Sequence, residues 1–180
     1  MLSFLTKKKI TEDKLAQIFV TSTLKTCDEG FEEVANLIAE DPEFEKPPKI
    51  EGSNSDEFLM IILSGNLEML PQHFSDYQDI RLLDKIYKKL SVSLQLDIAD
   101  LKKIIAHYQN YLKRVNHPSK NTHYAMSKAI FFKYELNDYQ QDYFRKMKTP
   151  NPIFLKRLDE IVANFIWNWN DLKDKYKIVE

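Results

Sequence analysis

DIADLKKIIAHYQNYLKRV, residues 97 to 115, sets Ile98, Leu101, Ile105, Tyr108, Leu112 and Val115 at intervals that alternate three and four. This is the period of a helix with one buried seam, because residues three and four apart share a helix face. Asp97 stands where an N-cap belongs, with a carboxylate that can accept from the free amides of the first turn. Opposite the seam, Lys103, His107, Asn110, Arg114 and His117 recur at intervals of 4, 3, 4 and 3 and form a basic polar stripe. The stretch specifies an amphipathic helix with a cationic outer face.

The same alternation recurs on both sides. Upstream, Ser75 with Gln78 three residues on has the form of a capping box, followed by Ile80, Leu83, Tyr87, Leu90 and Leu94. Before it, EFLMIILSGNLEML (57 to 70) carries an unbroken apolar run from Phe58 to Leu63 and leaves no polar face there, which marks a central helix capped by Ser53, Asn54 or Ser55. At the N-terminal end, Ile10 and Leu15 flank Thr11 as a hydrophobic staple, opening a helix expected to stop near Gly30. A second helix, FEEVANLIAE, ends before Pro42.

Downstream of His117-Pro118, a long helix is expected from about Asn121 to Met147, with Phe132, Leu136, Tyr139 and Tyr143 on one face and a kink near Asn137. Asn151 before Pro152 reads as N-cap and first helical residue. Leu155, Leu158, Val162, Phe165, Trp169, Leu172 and Tyr176 then predict one continuous seam to the end. Trp167 and Trp169, two residues apart on a helix, would point about 200° apart. Trp169 is therefore the core residue and Trp167 the candidate for solvent or a subunit interface. No strand pattern is comparably strong. The expected fold is all-α, a single-domain antiparallel helical bundle of about seven helices over residues 1 to 180, with an acidic, Pro-rich loop at 41 to 55 setting off an N-terminal helix pair.

Composition bounds the rest. With 180 residues and 43% hydrophobic content the chain can bury a real core, and only three Gly argue against a turn-rich β architecture. Cys27, the single cysteine, precludes an internal disulfide and suits a reducing compartment. Phe58 to Leu63 is far short of the roughly 20 apolar residues that span a bilayer, and MLSFLTKKKI lacks the order of a signal peptide. A cytoplasmic protein with no membrane partner is expected.

Chemical motifs are scarce. There is no Glu-x-x-His pair, zinc-protease motif, Walker loop or G-x-G-x-x-G. Asp-x-x-Asp pairs at 76/79, 97/100 and 171/174 read as helix-end charges, and His117 with His123 lacks the acidic or thiol neighbours of a metal site. The sequence designates no catalytic residue, metal ligand or cofactor.

Charge, in contrast, is segregated. From Leu101 to Tyr134 there are seven Lys and Arg and no acid, although the net charge of the whole chain is only −1. From Asp28 to Glu57, eleven acids face two lysines, which excludes a DNA-reading helix-turn-helix at residues 15 to 45. The candidate binding residues are Lys103, His107, Lys113, Arg114, His117, Lys120, His123 and Lys128, interleaved with Tyr111, Tyr124, Phe131 and Tyr134. The favoured reading is an interaction module that meets a protein partner or a second copy through the basic (101 to 134) and acidic (28 to 57) surfaces. The alternative is RNA or single-stranded DNA binding through residues 102 to 133, where aromatic rings would stack on bases. An enzyme of unrecognised type is the third.

Overall fold

A computed structural model describes residues 7 to 50 and 55 to 180. Those residues are mainly helical. They form strand β1 (Lys8–Thr11) and helices α1 (Glu12–Ala39), α2 (Ser55–Met69), α3 (Gln78–Leu94) and α4 (Ile98–Asn116). Helices α5 (Thr122–Lys133), α6 (Asp142–Met147), α7 (Pro152–Val162) and α8 (Trp169–Lys175) follow, then strand β2 (Tyr176–Val179). The Ser53 and Asn54 cap candidates lie outside the described residues.

Several local signals act as read. Thr11 caps α1 by accepting from the Lys14 amide at 3.1 Å, with Ile10 and Leu15 both buried as the staple. Asp97 accepts from Ala99 at 2.8 Å and Asn151 from Ile153 at 2.9 Å, and Asn121, read only as the approximate start of a helix, caps α5 by accepting from Tyr124 at 3.0 Å. Each satisfies an amide that the first turn leaves without a helical partner. Helix α2 is central, contributing Phe58, Ile61 and Ile62 to one buried cluster and Leu63 and Leu67 to the next. The first cluster takes Phe31 and Ile38 of α1 with Met126 and Ile130 of α5, and the second takes Phe19, Leu82, Ile105 and Trp169.

Several features depart from the sequence reading. Gly30 does not end a helix, so the expected N-terminal pair is the single helix α1. A Cβ on Gly30 would lie 3.0 Å from the Phe165 ring, so the glycine makes room for a neighbour instead of breaking the chain's path. The Ser75 capping box is not formed. Asp76 and Tyr77 take positive φ, α3 begins at Gln78, and the Gln78 side chain donates through Nε2 to the buried Glu12 carboxylate 66 residues away.

The expected helix over 121 to 147 divides where Glu135 adopts φ 55°, followed by a 3-10 turn at Leu136–Tyr139 and then α6. Buried Gln140 holds that break by donating to the Thr149 carbonyl at 2.8 Å and accepting from the Asn151 amide. The seam predicted from Leu155 to Tyr176 also divides. Asn66, buried on α2, donates to the Phe165 carbonyl at 2.9 Å and accepts from the Trp167 amide at 2.7 Å, drawing those backbone groups out of helical pairing. Trp169 is buried and stacks on Phe19 with ring centroids 5.1 Å apart, while Trp167 is half-buried, edge-on to the same ring at 5.5 Å. Residues 166 to 168 are not helical, so the two rings do not take the roughly 200° separation of a helix.

The strands were not expected. β1 and β2 pair in parallel from Lys8↔Tyr176 to Thr11↔Val179, joining segments more than 160 residues apart. Among the described residues, no helix is long and apolar enough to cross a membrane.

Candidate functional site

Helix α4 places its seam as the periodicity requires. Leu101, Ile105 and Leu112 are buried, and Lys103, His107, Asn110, Arg114 and His117 are exposed. The helix turns back into α5 through residues 117 to 121. Buried Asn116 fixes that turn, donating to the Asn121 carbonyl at 2.8 Å and accepting from Lys128 Nζ at 3.0 Å. Ser119 Oγ accepts from the Asn121 amide at 3.2 Å, and the His117-Pro118 bond is cis. The hairpin is thus held by its own polar groups before any ligand arrives.

The eight candidate binding residues separate into two groups. Lys103, His107, Lys113, Arg114, His117 and Lys120 are exposed. His123 and Lys128 are half-buried and engaged within the fold, the imidazole Nε2 lying 2.7 Å from the Asp159 carbonyl oxygen and the ammonium on Asn116. The exposed cations have few acid partners. Lys103 lies 3.7 Å from Asp100, an exposed pair worth well under about 1 kcal/mol, and Arg114 covers the Tyr111 ring at 5.2 Å. Lys113 pairs with Glu68 of α2 at 2.8 Å.

The interleaved aromatics are largely withdrawn from solvent. Phe131 and Tyr134 are buried, and the Tyr134 hydroxyl accepts from the Phe58 amide at 3.1 Å. Tyr111 is half-buried beneath both Arg114 and Lys133. Tyr124 alone of the four is exposed. A base-stacking platform needs open ring faces, and this run offers one. Tyr108 donates to Glu57 at 2.6 Å, and burial, reinforced by that carboxylate, pushes its phenol well above the usual range.

At the C-terminal end of the basic stripe the hairpin and the end of α2 enclose a pocket of about 430 Å³. Leu112 and Ala125 form its apolar floor, and Lys113, His117, Lys120 and Glu68 stand around its mouth. Nothing in the sequence of α4 shows this pocket, since one wall comes from Glu68 and Gln72, some 40 residues upstream.

The acidic segment is disposed in two ways. Its C-terminal part is engaged inside the fold: Asp41 receives two 2.7 Å hydrogen bonds from Arg157, Glu43 accepts from Asn151 at 2.8 Å, and Glu45 lies 3.5 Å from Arg145. Among the described residues of the segment, Glu57 alone forms an ion pair with the basic run, 3.7 Å from Lys133. On α1, by contrast, Asp28, Glu29, Glu32, Glu33 and Glu40 are exposed, and among the described residues only Glu29 has an ion-pair partner, Lys25 at 3.8 Å. Leu37 stands among them at 46% exposure.

Two arrangements that resemble chemistry resolve as structure. Cys27 is buried in the core, and burial pushes its thiol up to about 12, which disfavours the thiolate at neutral pH. His123 and Ser127 lie one turn apart beside Asp159, but the imidazole is held by a main-chain oxygen and the serine hydroxyl is sealed in the core. Among the described residues, no group of three or more His, Cys, Asp or Glu could hold a metal ion. No family model, characterised protein or solved structure matches the chain.

Proposed function

We propose that the chain is a cytosolic interaction module, a single antiparallel helical bundle whose α4 face docks an acidic protein surface. The observation that carries this reading is the contrast along one run of sequence. Lys103, Arg114 and Lys120 face outward with no acid closer than the exposed Asp100 beside Lys103, and Lys113 faces outward paired with Glu68, while most of the rings between them are committed to packing. Exposed cations steer and orient an acidic partner without requiring a ring platform. Nucleic acid is the second reading, since the same cations would meet phosphate, and Tyr124 is its one accessible stacking group.

The full-length chain titrated against a fluorescent oligo-glutamate and an oligouridylate of equal charge separates the two. A docking face for acidic protein binds the oligo-glutamate at least as well as the RNA and loses it when Lys103, Arg114 and Lys120 are changed to Glu. Binding of oligouridylate at least about tenfold tighter, with a steep salt dependence, replaces the protein-docking reading with the nucleic-acid one. Binding of neither removes both.

A further inference from the structure

We propose that the acidic surface which α4 accepts is α1 of a second copy of the same chain, with Leu37 of one copy seated in the pocket at the 117 to 121 turn of the next. The inference rests on the docking role assigned to α4 and names its occupant.

Three observations converge on it. The first is charge: the outer face of α1 with its C-cap carries Asp28, Glu29, Glu32, Glu33 and Glu40 exposed, opposed among the described residues by Lys25 alone, and the outer face of α4 carries Lys103, Lys113 and Arg114 with Lys120 beyond it. Among the described residues neither face neutralises the other within the chain: from 41 to 57 the acids that pair are Asp41, Glu43, Glu45 and Glu57, with cations off the α4 stripe, while Glu29 pairs with Lys25 on its own helix and Lys113 is met by Glu68 of α2. The second is length. Asp28 to Glu40 spans about 18 Å and Lys103 to His117 about 21 Å at 1.5 Å per residue, so the faces match nearly end to end.

The third is the anchor. A lone exposed leucine is ordinary on a protein surface. Leu37 differs in its surroundings, with Glu33 a turn before it and Glu40 a turn after it. The pocket offers an apolar floor of Leu112 and Ala125 with Lys113 and Lys120 at its mouth, Lys113 there sharing its charge with Glu68 at 2.8 Å. Seating Leu37 there brings Glu33 and Glu40 to those two lysines and lays Asp28, Glu29 and Glu32 back along the stripe toward His107. An apolar anchor ringed by opposed charges is the usual anatomy of a small interface.

The pairing is between unlike faces, and that makes it testable by complementation. Sedimentation of the full-length chain at about 25 mM and 500 mM salt is expected to show association at low salt that weakens at high salt. Leu37→Asp and the pair K113E/K120E should each raise the dissociation constant about tenfold or more. E33K/E40K should do the same, and mixing it with K113E/K120E should restore association that neither shows alone. All of these residues are exposed, so circular dichroism should report an unchanged fold. A chain that stays monomeric at low salt, or association indifferent to these substitutions, overturns the proposal. If such a monomer still binds oligo-glutamate through α4, the docking role stands and only the occupant named here is wrong.

Discussion

Glu12 is fully buried at the first turn of α1, where its carboxylate accepts from Arg81 Nη2 at 2.8 Å, from Arg81 Nε at 3.1 and 3.2 Å and from Gln78 at 3.3 Å, with Lys85 at 3.8 Å. Removing one partner of a buried ion pair costs about 3–5 kcal/mol when the other stays sealed. Here Arg81 is 35% exposed and Lys85 comparably so, and both can recover water, which lowers the expected cost of Glu12→Gln to about 2–3 kcal/mol. With a urea slope of about 2 kcal/mol/M, the midpoint should fall by about 1–1.5 M. Arg81→Met should also destabilise, and the double variant should be less damaged than the sum by about 1–2 kcal/mol.

Acid provides an independent check. The Arg81 hydrogen bonds, opposed by burial and assisted by Gln78 and the nearby cations, hold the Glu12 carboxyl below the usual glutamate range. A depressed folded value means that the stabilisation is complete above the unfolded value of about 4.3 and is lost as pH falls through the folded one. Wild type should therefore lose stability below about pH 4.3 more steeply than Glu12→Gln. A Glu12→Gln midpoint that leaves stability within about 0.5 kcal/mol of wild type would refute the reasoning.

Further outcomes follow from the packing. Asn66→Ala, which strands the Trp167 amide and the Phe165 carbonyl, should cost about 2–4 kcal/mol and alter tryptophan emission; unchanged emission and stability would mean that the 163 to 168 turn does not depend on Asn66. Gly65→Ala drives a Cβ into the Met126 side chain, and overpacking there should cost about 1–3 kcal/mol, read by thermal unfolding. Cys27 should react with a thiol reagent slowly in the native protein and rapidly in denaturant, and fast native labelling at pH 7 would contradict its buried, protonated state.

What the sequence made legible was local. Thr11, Asp97 and Asn151 announce their helices because a capping side chain and the amide it satisfies lie within three residues. The α4 stripe was legible for the same reason, since one helix period separates core from surface. Gly30, Ser75 and the seam after Val162 misled because their outcomes are decided by Phe165, Glu12 and Asn66, each distant in the chain. The basic run contained the exposed cations of the site but not which of its members would turn inward. His123 and Lys128 are taken up by Asp159 and Asn116, and the pocket needs a wall from α2, so neither could be read from one helix.

The parallel pairing of β1 with β2 has a mechanical consequence. Tension applied between Lys7 and Glu180 draws β1 toward its own start and β2 toward its own end, so the two strands are loaded to slide in opposite directions along a common axis. The rungs of a parallel ladder are evenly spaced and slanted, and in that geometry they share the load instead of opening one after another. The pair acts as a clasp, and a stretching force must shear it before it reaches the helices between.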